Sequence, residues 1–148
     1  MKLMGFNFTK IYAEKKDTQA QNIEIKTNID ISDIHKVNSD ILKTKEEIVA
    51  VKFEYTIDYD PNFAKISFVG IVLASLESKE VSELLSMWKK KQIPEDFKVN
   101  VFNTILKKSS LRALQLEEEL NLPTHLPMPS LKIQSPQTQF QKEDKSKK

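Results

Sequence analysis

The stretch Val49-Ala50-Val51-Lys52-Phe53-Glu54-Tyr55-Thr56-Ile57-Asp58-Tyr59 decides the fold. Its odd positions are β-branched or aromatic and most of its even ones are polar or charged. A strand points successive side chains to opposite faces, so this is one apolar face and one wet face. Asp60-Pro61-Asn62 follows with turn chemistry: proline presets φ, and the flanking Asp and Asn can bond to nearby backbone groups. The chain then re-enters a strand over residues 63–76. Ile66, Phe68, Val72, Ala74 and Leu76 lie on one face, and Val69, Ile71 and Leu73 on the other. A strand apolar on both faces requires cover on both.

Working outward toward the N-terminus, Ile23, Ile25, Ile29 and Ile31 occupy odd positions between polar residues and predict another strand with one wet face. The segment 6–14 is less regular. Phe6, Phe8 and Tyr12 are in phase and Ile11 is not, which predicts a bulge or twist. Toward the C-terminus the period changes. Val81, Leu84, Leu85 and Trp88 fall at i, i+3, i+4 and i+7 after the capping candidate Ser78, with Glu80 and Glu83 early and Lys89, Lys90 and Lys91 late, as the helix dipole favours. A second helix is expected from Pro94 to about Leu120, with any break at Ser109-Ser110. Three prolines within 123–129 then exclude a regular helix. The fold class expected is α+β: a four-stranded antiparallel sheet followed by two helices, in one domain over residues 1–133.

The chain has 148 residues, no Cys and only two glycines, Gly5 and Gly70. No thiol chemistry and no glycine-rich phosphate loop are therefore available. No apolar run approaches the roughly 18 residues of a membrane helix, and the expectation is a soluble cytoplasmic protein. His35 is expected in a polar loop beside Asp33, and His125 in the proline segment without a nearby carboxylate. Asp58 and Asp60 flank a turn, and Glu117 to Glu119 are expected on a solvated helix end, so no paired catalytic acids are assigned. No spacing suits a metal, and neither catalysis nor a cofactor is expected.

Charge is balanced overall at +2 but not along the chain. Residues 132–148 carry five lysines and two acids, while residues 1–131 sum to −1. Residues 134–148 contain one strongly apolar residue, Phe140, and are expected to form a disordered basic tail. Lys142, Lys145, Lys147 and Lys148 are the candidates for meeting an anionic partner. The apolar surplus on strand 63–76 exceeds what one helical layer covers, which predicts a homo-oligomer joined through the sheet face.

The order of these elements resembles the SecB family of protein-export chaperones. Phe6-Asn7-Phe8-Thr9-Lys10-Ile11-Tyr12-Ala13-Glu14 is similar to that family's first strand, with its aromatic-x-x-x-x-Ile-Tyr run. Residues 23–31 match its second strand, 48–76 its long hairpin and 122–131 its proline-containing segment. The glycine-rich stretch between the last strand and the first helix is replaced here by Leu76-Glu77-Ser78-Lys79-Glu80, and the basic tail has no counterpart. The resemblance implies the four-stranded fold, dimers or dimers of dimers, and the holding of unfolded polypeptides through apolar grooves, with Phe6, Phe8, Leu126 and Met128 as candidates for the lining. The alternative is an adaptor or regulatory factor that docks on a ribosomal subunit, on rRNA or ribosomal protein, through the basic tail and surface.

Overall fold

The hairpin 46–77 is the middle of the sheet. A computed structural model describes residues 1–19, 21–37, 46–131 and 133. Strands β1 (Lys2–Lys15), β2 (Glu24–Val37), β3 (Glu46–Asp60) and β4 (Ala64–Glu77) are followed by helices α1 (Ser78–Trp88) and α2 (Glu95–Glu119). The sheet order is β1-β4-β3-β2, with every neighbouring pair antiparallel. This is the expected four-stranded antiparallel sheet followed by two helices. The alternation read from the sequence is realised in full: Val49, Val51, Phe53, Tyr55, Ile57 and Tyr59 are all 0% exposed beneath the helices. Ile66, Phe68, Val72, Ala74 and Leu76 of β4 lie beside them in register.

The outer strands depart from the expected phases, and the reasons lie in their registers. In β1 the pairing slips between Leu3 and Gly5 and again between Phe8 and Lys10. The second slip leaves Thr9 as an extra residue and inverts the phase, since a strand's side-chain period is two. Phe6, Phe8, Ile11 and Ala13 therefore share the helix-covered side, opposite Val72, Gly70, Phe68 and Ile66, while Tyr12 pairs with Ser67 on the other face. The second strand runs to Val37, beyond the expected end, with a slip between Ile31 and Asp33. His35 is thus a strand residue rather than a loop residue, its Nδ1 2.8 Å from Asp33 Oδ2.

Gly70 permits the tightest approach in the sheet. It sits between Phe8 on β1 and Phe53 on β3, and a Cβ there would lie 2.6 Å from both the Asn7 backbone oxygen and Phe53 Cζ. The space a side chain would take is filled by the Phe53 ring, which packs 5.3 Å from Phe6 between ring centres.

Both helices end alike, and their ends shape the surfaces described next. After α1, Gln92 N–H donates to Met87 O at 3.0 Å and Lys91 N–H to Trp88 O at 2.8 Å, with Lys91 left-handed at φ 59°. After α2, Leu122 N–H donates to Glu117 O at 2.8 Å and Asn121 N–H to Glu118 O at 3.3 Å, with Asn121 at φ 53°. Both are Schellman motifs, which satisfy the last carbonyls and reverse the chain. Lys89 to Lys91 lie in this reversal rather than in the last helical turn. Ser78 is the first helical residue, and Glu77 takes the N-cap position. The second helix passes through Ser109-Ser110 without a break because Ser109 is fully buried. With Ala113 it forms the small-residue part of a stripe running from Phe97 through Val101 and Ile105, which lets the helix lie close on the sheet.

Candidate functional site

Among the described residues, one cluster of chemistry is closed and another is open. The closed one centres on Glu117, which the sequence reading placed on a solvated helix end. It is 0% exposed, because the Schellman turn at Asn121 folds residues 122–125 back over it. Leu122 enters the core, and His125 returns to the carboxylate it was expected to lack. The backbone N–H of His125 donates to Glu117 Oε2 at 2.8 Å, and its Nδ1 lies 2.8 Å from Oε1. A carboxylate accepts, so Nδ1 carries the proton. The Tyr59 hydroxyl lies against Glu117 Oε2 and 2.9 Å from the Pro123 carbonyl oxygen. His125 also presents its ring edge to Tyr55, whose hydroxyl lies 3.4 Å from Ser110 Oγ.

This cluster reads as a clasp. It joins the end of β3, the end of α2 and the proline segment, and none of the grooves described here is lined by Glu117, Tyr59 or His125. Burial, followed by the adjacent Glu117, pushes the Tyr59 hydroxyl far above its ordinary value of 10.0. Burial likewise raises that of Tyr55. A group whose folded pKa is raised contributes stability that is intact below its unfolded pKa and is lost as pH climbs past it. Folding stability is therefore expected to fall as pH rises above about 10, the unperturbed tyrosine value. Urea midpoints between neutral and strongly alkaline pH check this, and Tyr59→Phe should show the shallower alkaline decline.

The open place is a groove of about 580 Å³ along the free edge of β2. One wall is strand: Ile29 and Ile31, which alternation turns toward the helix side, with Asp30 and Ser32 also lining the groove. The other wall is built where α1 reverses into α2: Trp88 from the last turn of α1, Ile93 from the connection, and Phe102 from the third turn of α2. All five apolar side chains are half-buried against the core, leaving one face of each in the groove. Lysines stand over both aromatics, with Lys91 Nζ 4.5 Å from the Trp88 ring centre and Lys98 Nζ 5.6 Å from that of Phe102. Among the described residues β2 bonds only to β3, so its outward backbone groups have no partner in the sheet.

A second groove of about 450 Å³ lies between the starts of α1 and α2, lined by Glu80, Glu83, Glu95 and Asp96 among others. Glu80, Glu95 and Asp96 lie in the first turns of the two helices, whose positive ends favour them. No group of three or more His, Cys, Asp or Glu among the described residues could hold a metal. Among them, too, no helix is long and apolar enough to cross a membrane.

The residues singled out from the sequence fall in different places. Phe6 and Phe8 are half-buried in an edge-to-face pair 4.9 Å apart and pack on Phe53 and Phe68. Leu126 and Met128 are 42% and 55% exposed, beyond the clasp. The structure does not bring these four into the β2 groove. Lys142, Lys145, Lys147 and Lys148 lie outside the described residues. The groove residues were visible in the sequence only as parts of other patterns, Trp88 as an apolar stripe position and Lys91 as a helix-ending charge.

No family model matches the chain, and no curated protein matches it in sequence. Among solved structures it is similar to the SecB-like chaperone Rv1957 of Mycobacterium tuberculosis, determined in complex with a ChAD peptide from the antitoxin HigA1. The two chains are 11% identical with a TM-score of 0.48, over 89% of this chain and 92% of that one.

Proposed function

We propose that this protein holds extended, non-native polypeptide segments along the free edge of β2, without catalysis. The observation that carries the reading is the conjunction of an unpaired strand edge with a half-buried apolar trough directly beside it. A peptide added to such an edge gains main-chain hydrogen bonds, and its alternate side chains drop into the trough against Ile31, Trp88 and Phe102. Backbone bonds are indifferent to sequence and apolar contacts nearly so, as a protein serving many clients requires. The resemblance of the first strand and the element order to the SecB family supports the same reading.

Trp88 is the chain's one tryptophan, so the groove carries its own reporter. Titration with a carboxymethylated unfolded protein, or with a peptide of alternating apolar residues, is expected to shift Trp88 emission to the blue. Trp88→Ala should weaken binding of a labelled peptide about tenfold or more, the cost of removing a large aromatic anchor. It should also lose suppression of client aggregation. Binding that leaves Trp88 emission and the Trp88→Ala affinity unchanged would sink the assignment of the groove.

We further propose self-association through the helix-free face of the sheet. Val69, Ile71 and Leu73 of β4 lie there, paired with Glu54, Lys52 and Ala50 of β3, on the side opposite the buried positions that the helices cover. Fully burying an aliphatic side chain contributes about 1.5–3 kcal/mol, so covering this strip with a second copy is favourable. Light scattering should give a multiple of 17.1 kDa, and Ile71→Asp should reduce it to the monomer mass. The adaptor alternative, docking through the basic tail and surface, has its named lysines, Lys142, Lys145, Lys147 and Lys148, outside the described residues.

A further inference from the structure

The two lysines of the groove restrict what it takes. We propose that it selects segments in which an apolar anchor is accompanied, two residues away, by a carboxylate, and disfavours segments carrying lysine or arginine there. This rests on the peptide-binding reading of the groove and specifies its ligand. Lys91 and Lys98 stand over the two aromatic rings, and neither is within ion-pair distance of a carboxylate among the described residues. Lys89 and Lys90, exposed in the same reversal, are equally unpaired. Of the two acids that line the groove, Asp30 belongs to the strand wall, away from the two aromatic rings in sequence, and Glu95 sits in the first turn of α2, where the helix N-terminus favours it. At the aromatic wall a ligand therefore meets two ammonium groups that have no carboxylate partner among the described residues.

The backbone of Lys91 adds a second, independent sign. It occupies the left-handed position of the Schellman turn at φ 59°, where glycine or asparagine fits without steric cost. A lysine tolerated there holds its ammonium over Trp88, in a geometry that glycine could not supply. An apolar ligand side chain landing on Trp88 displaces that ammonium from the ring and costs it its cation–π contact. A carboxylate two residues along the same strand, about 6.6 Å away on the same face, gives the displaced ammonium a new partner. A ligand lysine gives it a repulsion instead.

The test uses three labelled peptides with one alternating apolar pattern, carrying Asp, Asn or Lys two residues after the anchor. Affinity is read by anisotropy and by Trp88 emission at low and high salt. The Asp peptide is expected to bind about tenfold more tightly than the Lys peptide, as two partly exposed ion pairs allow, and salt should narrow the gap. The double variant Lys91→Glu/Lys98→Glu should invert the order. Lys91→Gly should reduce the preference while leaving the thermal midpoint unlowered, because it removes the strained position along with the charge. Equal affinities for the three peptides, or preference for lysine, would overturn the selectivity and leave the groove as a binding site. Failure of all three to bind would overturn the proposed function, and this inference with it. A single-stranded RNA oligonucleotide that moved Trp88 emission as far as the Asp peptide would assign the lysines to nucleic acid and overturn the inference.

Discussion

Glu117→Ala is expected to destabilise the protein by about 3–5 kcal/mol, the range for breaking a buried charged network by removing one partner. Three groups converge on this carboxylate, and each loses differently. The Tyr59 hydroxyl keeps the Pro123 carbonyl as an acceptor. The His125 backbone N–H and Nδ1–H have no other partner among the described residues, and the His125 side chain is 2% exposed, so water does not replace the lost oxygens. Each buried donor left unpaired costs about 1–3 kcal/mol. The loss should be uneven in space. The proline segment is attached at this point through His125, Pro123 and Leu122, so amide exchange across 122–128 should accelerate before the sheet opens. A urea midpoint within about 1 kcal/mol of the parent would show that the clasp contributes little beyond its satisfied hydrogen bonds. Glu117→Gln is a useful companion, since its amide nitrogen would face donors on one side while preserving volume, and it should fall between the parent and the alanine variant.

Gly70→Ala is expected to cost about 3 kcal/mol, at the upper end of the range for overpacking a close-packed interior. The added methyl meets the Asn7 backbone oxygen and the Phe53 ring at 2.6 Å. Neither is the flexible end of a long side chain, and one belongs to the backbone of the β1 edge. Either β1 moves away from β4 or Phe53 leaves the position in which it packs on Phe6 and Phe8. Shrinking the ring should then rescue: Phe53→Leu in the Gly70→Ala background is expected to lower stability by less than the sum of the two single changes. Chemical denaturation of the four species of this cycle measures the coupling. Full additivity would show that the contact at Gly70 does not limit the sheet.

Gly70 also shows why a sequence reveals some of this molecule and not the rest. As one of two glycines it excluded a phosphate loop, yet nothing in its neighbours announces that Phe53, seventeen positions earlier, occupies the place of its missing side chain. Similarly, the alternation in 6–14 predicted an irregularity but not which side Ile11 would take. That depended on Thr9 being the residue left over when β1 pairs with β4.

What the sequence determined by itself is local and periodic. Alternation over 49–59, the turn residues at 60–62 and the doubly apolar run 63–76 specify a hairpin. The spacing of Val81, Leu84, Leu85 and Trp88 specifies a helix, and Pro94 the start of another. These signals survive in one dimension because a strand or helix repeats its exposure every two or 3.6 residues whatever it packs against. Tertiary structure alone decided the rest. It placed β1 beside β4 and made β2 one of the two sheet edges, with Ile31 and Trp88 lining one trough beside it. It also turned Glu117 from an apparent surface acid into the buried anchor of His125. A carboxylate's environment is set by what folds over it. Here that cover is the chain's own return through Asn121 and Leu122, which brings residue 125 back to residue 117, eight positions away along the sequence.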